Sequence, residues 1–254
     1  MLILQLTDFH ATAEGILLGE VDTRAAFARL MAGIKRLEPQ PDLIVVSGDV
    51  GEAGTTEEYE FVASGLRALG VPFVVVPGNH DLREPLRRVF GEETGSEPSH
   101  LAFQRRFDGI RIIGLDTLVE GQAHGALSGE QLDWLEGQLD KTGAEPTLIV
   151  MHHPPCPTGI PSMDAIGLRE GAERLLELLR GRTDILGILC GHVHRAIFAR
   201  FAQTPVTIAP SVSHQFALDF ERAGRFDIVR EPPQLLLHRI GAGRDAITSF
   251  LIAL

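Results

Sequence analysis

The chain has 254 residues, 44% hydrophobic and 22% charged. That is too apolar for a disordered polypeptide and ordinary for a globular one, and at roughly 150 residues per domain one domain over residues 1–254 is the simplest expectation. With 23 Lys and Arg against 34 Asp and Glu the net charge is −11, which opposes diffuse binding to a nucleic-acid polymer or an anionic membrane but leaves room for an enzyme that holds phosphate through metal ions. Two cysteines, Cys156 and Cys190, build no disulfide framework or four-thiolate zinc site. The opening MLILQLTDFH is too short an apolar run for a leader, and no run approaches the ~18 residues of a membrane span. A cytoplasmic protein is expected.

In chain order, the first apolar run is Leu2–Leu6, which stops at Thr7, Asp8, Phe9 and His10. A helical stripe follows at Phe27, Leu30, Met31, Ile34 and Leu37, with Asp22 or Thr23 as N-cap. Leu43–Val46 runs into Ser47, Gly48 and Asp49. The next stripe, Tyr59, Val62, Leu66 and Leu69, has capping-box spacing at Thr55 and Glu58. Phe73–Val76 ends at Pro77, Gly78, Asn79, His80 and Asp81, and Arg83, Arg87 and Arg88 then read as a solvated helix face. Leu132, Leu135 and Leu139 form a third stripe behind Ser128 and Gln131. Leu148–Met151 stops at His152 and His153. A fourth stripe, Leu175, Leu176 and Leu179, precedes Ile185–Cys190, which stops at Gly191, His192, Val193 and His194. Apolar runs of four to six residues between turn residues predict strands buried on both faces. Alternation with helices predicts an α/β layered fold. Past Arg195 the helical period vanishes, and Ala196–Phe201, Val206–Ile208, Phe226–Val229, Leu235–Ile240 and Ile247–Ile252 predict a C-terminal part, residues 196–254, that is mostly β.

Five strands thus end in Asp, Asn or His, and in layered α/β folds ligands sit beyond the carboxyl ends of strands. Taken singly, Asp8, Asp49 and Asn79 are ordinary turn residues. Together with His10, His152, His192 and His194 they form a pool of carboxylates, imidazoles and one amide without a thiolate, which suits zinc, iron, manganese or cobalt. Seven candidates are too many for one tetrahedral ion and about right for two that share a carboxylate. Ions roughly 3.5–4 Å apart can hold a bridging hydroxide and clamp a phosphoryl group. His153 reads as a packing residue, and His100, His124, His214 and His238 as surface or internally satisfied histidines.

The series Asp8-Phe9-His10, Gly48-Asp49, Gly78-Asn79-His80-Asp81, His152-His153 and Gly191-His192-Val193-His194 resembles the five blocks of the calcineurin-like metallophosphoesterase superfamily, in family order between residues 8 and 194. Ala209-Pro210-Ser211, His214-Gln215, Glu231-Pro232-Pro233 and Leu237-His238-Arg239 resemble late segments of its bacterial class III cyclic-nucleotide phosphodiesterase and glycerophosphodiesterase branch. The resemblance implies a four-layer α/β/β/α sandwich and two metal ions. It implies Asp8, His10 and His194 on the first ion, Asn79, His152 and His192 on the second, and Asp49 between them. It also implies that His80 faces substrate as a catalytic residue, with Asp81 placed to orient it. The expected activity is hydrolysis of a small phosphodiester by attack of a metal-bridging hydroxide. A phosphomonoesterase or nuclease with the same centre is the enzymatic alternative, and a metal-free scaffold the non-enzymatic one. No nucleic-acid polymer or membrane is expected as partner, and a homo-oligomer is compatible with the chain.

Overall fold

The computed structural model describes residues 1–97, 99–141, 145–229 and 231–253. The chain begins β1 (Leu2–Leu6), α1 (Thr23–Ile34), β2 (Leu43–Val46), α2 (Thr56–Arg67), β3 (Phe73–Val75) and α3 (Arg83–Val89). It continues β4 (Phe103–Phe107), β5 (Ile110–Gly114), β6 (Gly125–Ala126), α4 (Gly129–Lys141), β7 (Thr147–Val150), α5 (Pro161–Asp164), β8 (Leu168–Glu170), α6 (Ala172–Leu179) and β9 (Ile185–Cys190). Strands follow: β10 (Ile197–Phe201), β11 (Thr204–Ile208), β12 (Gln215–Phe216), β13 (Ile228–Val229), β14 (Gln234–Ile240) and β15 (Ile247–Ala253).

Two main sheets result, ordered β15-β14-β1-β2-β3 and β10-β11-β9-β7-β5-β4. Their centres are parallel, β1 with β2 and β3, and β9 with β11, β7 and through it β5. Period-two alternation divides the apolar side chains between layers. Leu43 and Val45 of β2 meet Ile112, Leu148 and Val150 between the sheets, while Ile44 and Val46 turn outward onto Phe27, Leu30 and Tyr59 of α1 and α2. On the far side Ile113, Ile149 and Ile188 pack on Leu132, Leu135 and Leu175 of α4 and α6. This is the four-layer α/β/β/α sandwich expected from the sequence. The helix caps also follow the sequence: Asp22 accepts from Ala25 N, and Thr55 and Glu58 form a reciprocal capping box. The C-terminal strands divide, β10 and β11 widening the second sheet and β14 and β15 the first. Among the described residues no helix is long and apolar enough to cross a membrane.

Two features depart from the sequence reading. The β4–β5 hairpin was hidden by Gln104, Arg105 and Arg106 on an edge strand, although Asp108-Gly109, both at positive φ, is a strong hairpin signal. Arg83 does not lie on a solvated face: it grips the buried Asp116 carboxylate at 2.7 and 3.1 Å and the Leu118 carbonyl.

The polar exception within β1 is Gln5, fully buried. Its Nε2 donates to Ser47 Oγ and the Cys190 carbonyl, and its Oε1 accepts from His238 Nε2–H at 3.0 Å. Burial pushes the His238 pKa down to about 4. The unfolded chain therefore takes up this proton first, near 6.5, so stability falls as pH drops from about 6.5 towards 4. Denaturant midpoints should show this: His238→Gln, which keeps a donor towards Gln5, should lose about 2 kcal/mol less than wild type between pH 7.5 and 5. Parallel pH profiles for the two proteins would refute the assignment.

Candidate metal centre

The strand ends converge. Asp8 and His10 follow β1, Asp49 follows β2, Asn79 and His80 follow β3, His152 follows β7, and His192 and His194 follow β9, so the centre lies across the seam between the sheets. The backbone there is unusual. Asp8, His10, Asp49, His192 and His194 all adopt positive φ, between 46° and 73°. Side chains rarely tolerate that region, and its concentration at one place marks a site whose geometry the surrounding structure enforces. Glycine makes room: a Cβ at Gly48 would collide with the His152 imidazole, and one at Gly78 with the Asp49 carboxylate.

Outer hydrogen bonds fix which ring nitrogen carries a proton, because a carbonyl oxygen can only accept. His152 Nδ1–H donates to the Ser47 carbonyl at 2.8 Å, His194 Nδ1–H to the His214 carbonyl at 2.9 Å, and His192 Nε2–H to the Ile166 carbonyl at 3.1 Å. His10 Nδ1 lies 2.7 Å from Glu52 Oε2. The inner nitrogens then face other acceptors. His10 Nε2 is 3.1 Å from His194 Nε2, while His152 Nε2 and His192 Nδ1 are 3.2 and 3.0 Å from Asn79 Oδ1. Asp8 Oδ1 stands 3.4 Å from His194 Nε2. Asp49 Oδ2 is shared, 3.5 Å from His10 Nε2 and 3.3 Å from His152 Nε2. Lone pairs pointing at one another across about 3 Å are what cation ligands present when their other faces are held by hydrogen bonds. The donor set fits divalent cations.

The electrostatics of the polypeptide alone say the same. Burial lifts the Asp8 pKa to about 6, against the pull of His152. Asp49 stays well below the usual carboxylate range despite its burial, because His152, His10 and His80 surround it. Burial opposes a charge on His152, yet Asp49 and Asp8 raise it to about 9. Burial, with a repulsive His152, drops His192 to about 3. A field that retains a proton on a buried imidazole also favours a cation in its place.

All seven ligand candidates are thus brought together, and His80 joins them half-buried, its side chain 36% accessible. Its amide donates to Asp49 Oδ1 at 2.9 Å, and its Nδ1 faces the Glu52 carbonyl at 3.1 Å. Asp81 does not lie against the His80 ring. Its buried carboxylate points the other way and accepts from the amides of Val50, Gly51 and Gly78. His214, read as a surface or internally satisfied histidine, is the latter: it lies buried with Nδ1 2.9 Å from Ser213 Oγ, and its ring is 4.5 and 5.2 Å from those of His194 and His10. Its segment is pinned by Ser211 and Ser213, whose hydroxyls donate to the Asp8 carbonyl. The paired serines were the available signal. His153 bonds Thr117 and the Ala123 carbonyl, and so is satisfied behind the centre.

A cavity of about 230 Å³ opens over these residues, with Met163, Ile166, Phe216 and Phe226 on its apolar wall. Residues 1–196 match the family model of the calcineurin-like phosphoesterases, and the chain belongs to that family. It is 40% identical over 240 residues, 94% of this chain and 88% of the other, to "Probable glycerophosphodiester phosphodiesterase GpdQ" of Arcobacter nitrofigilis. It is 32% identical over 216 residues, 84% and 77% of the two chains, to the 3',5'-cyclic adenosine monophosphate phosphodiesterase CpdA of Escherichia coli. The crystal structure of TT1561 of Thermus thermophilus shares the fold at a TM-score of 0.58 and 14% identity, covering 99% of this chain and 98% of that one.

Because Asp49 touches both halves of the cluster, Asp49→Ala is expected to lower the binding of both ions rather than one. Elemental analysis of the folded variant checks this, and one ion retained at full occupancy would show that Asp49 is not shared.

Proposed function

We propose that the protein is a dinuclear metal-dependent phosphodiesterase acting on small diesters of the cyclic-nucleotide or glycerophosphodiester type. The observation that carries the reading is the pair of inward-facing donor sets that share Asp49 beneath one accessible imidazole, His80. In this reading Asp8, His10, His194 and Asp49 hold one ion, and Asn79, His152, His192 and Asp49 the other. Carboxylate, imidazole and amide donors suit iron, manganese, zinc or cobalt. When bound, such a pair polarises the phosphoryl oxygens and acidifies the water that attacks phosphorus.

The chain's own residues supply the rest. His80, with Nδ1 against a carbonyl, turns Nε2 to the cavity, where it stabilises charge on the phosphoryl group and gives a proton to the departing oxygen. The apolar wall of Met163, Ile166, Phe216 and Phe226 receives the organic arm of the ester and keeps water from it. Among the described residues lining the cavity none is Lys or Arg, so no side-chain cation adds to the metals in favour of the second negative charge of a monoester. The small cavity and the net charge of −11 both disfavour a polynucleotide. The names of the two relatives, both phosphodiesterases, support the same substrate class.

With either manganese or zinc, kcat/KM should be higher for bis(p-nitrophenyl) phosphate than for p-nitrophenyl phosphate. Faster monoester turnover with both metals would overturn the diesterase reading while leaving the metal centre standing. His80→Ala should lower kcat for an alkyl diester by roughly 10²–10⁴ and leave metal content intact. The loss should be smaller for an aryl diester, whose leaving group needs little protonation. Loss of both metals would instead make His80 a ligand.

A further inference from the structure

Glu52 lies three residues beyond Asp49, outside the sequence blocks, with its side chain 27% accessible. It touches two imidazoles at once. Its carboxylate Oε2 is 2.7 Å from His10 Nδ1 and 3.4 Å from His80 Nδ1, and its main-chain carbonyl is 3.1 Å from His80 Nδ1. The two rings stand edge to face with centroids 4.6 Å apart. We propose that Glu52 is the positioning residue of the centre. Its carboxylate holds His10 as the Nδ1–H tautomer with Nε2 turned to the metal cluster, and its carbonyl, backed by that carboxylate, holds His80 with Nε2 turned to the substrate. The proposal rests on the dinuclear reading given above.

The support behind Glu52 is what distinguishes it from a surface carboxylate. Four consecutive amides of its loop are tied down. Val50 N and Gly51 N donate to Asp81, Glu52 N donates to the Ala11 carbonyl, and Ala53 N donates to the buried Glu58 carboxylate. Ala11 in turn follows His10 directly, and its amide donates to the Val50 carbonyl. The carboxylate is therefore presented from a fixed backbone, and Asp81 acts on His80 through this loop rather than by contact. The tautomer also fits the proton path. A protonated His80 gives the Nε2 proton to the leaving oxygen and returns to the neutral ring with its remaining proton on Nδ1, where the Glu52 carbonyl accepts it. Glutamate at this position thus lets one residue serve the ligand side and the proton-donating side together.

The test uses the full chain loaded with zinc, as wild type, Glu52→Ala and Glu52→Gln. Competition against a chromophoric chelator should show one of the two zinc dissociation constants raised about 10–100-fold in Glu52→Ala and the other within about threefold of wild type. Glu52→Gln, whose amide oxygen still accepts from Nδ1–H, should recover most of that loss. Long-range proton–nitrogen spectra should place the His10 proton on Nδ1 in wild type and Glu52→Gln. The ratio of alkyl to aryl diester turnover should fall in Glu52→Ala, because the alkyl leaving group depends on His80 more than the aryl one does. Unchanged zinc affinity in Glu52→Ala would overturn the proposal. So would equal weakening of both sites with no rescue by glutamine, which is the mark of a merely structural residue. If wild type bound no zinc the dinuclear reading itself would fail, a result distinct from either.

Discussion

Lone pairs that face one another repel unless something positive lies between them. The centre of this molecule is built on that condition. Five of its imidazole and amide atoms aim at other acceptors at 3.0–3.2 Å, and the four imidazoles are held from behind by a carbonyl or a carboxylate. Positive φ at five positions, the missing side chains at Gly48 and Gly78, and the serine hydroxyls on the Asp8 carbonyl all serve to keep those atoms where they are. Each is locally unfavourable or locally restrictive, and none has a packing purpose of its own. The sandwich around them supplies the rigidity that such an arrangement requires.

The same division of labour separates what could be read from the sequence from what could not. Strands such as Leu43–Val46 and Ile185–Cys190 were legible because both of their faces are buried, and the residues that follow them were legible because chemistry in this architecture gathers at strand ends. The β4–β5 hairpin was obscured by the three polar residues of an edge strand. His214 was obscured because a turn, not a strand, delivers it. Adjacency in sequence misplaced Asp81: it stands next to His80, but the loop turns its carboxylate away, towards the amides of Val50 and Gly51. Glu52 is one of 34 acidic residues, and only its contacts with two rings set it apart. Backbone conformation leaves little mark on composition or period, so the left-handed conformation of His10, His192 and His194 could not be read from the sequence.

Buried carboxylates elsewhere in the chain show what the centre avoids. Asp116 is paired with Arg83 and Glu58 is spent on amides and a helix cap, so each is satisfied by the polypeptide. Among the described residues Asp8 accepts from one backbone donor, the His192 amide, and Asp49 from one, that of His80, leaving oxygens directed into the cluster. Internal satisfaction marks a structural carboxylate here, and its incompleteness sets Asp8 and Asp49 apart as candidate ligands.

The position of β1 has a consequence for the order in which the molecule assembles. It is a central strand, with β2 on one side and β14 on the other, and the register sets Leu2 against Arg239. Loop closure over most of the chain is therefore part of completing the first sheet, and such contacts form slowly. A ribosome would have to release residues beyond β14 before β1 could gain its second neighbour. Asp8 and His10 hang on the β2 side, where the Gly48 and Asp49 carbonyls take their amides, so a stalled or shortened nascent chain would carry the beginning of the centre without the His152, His192 and His194 that complete it.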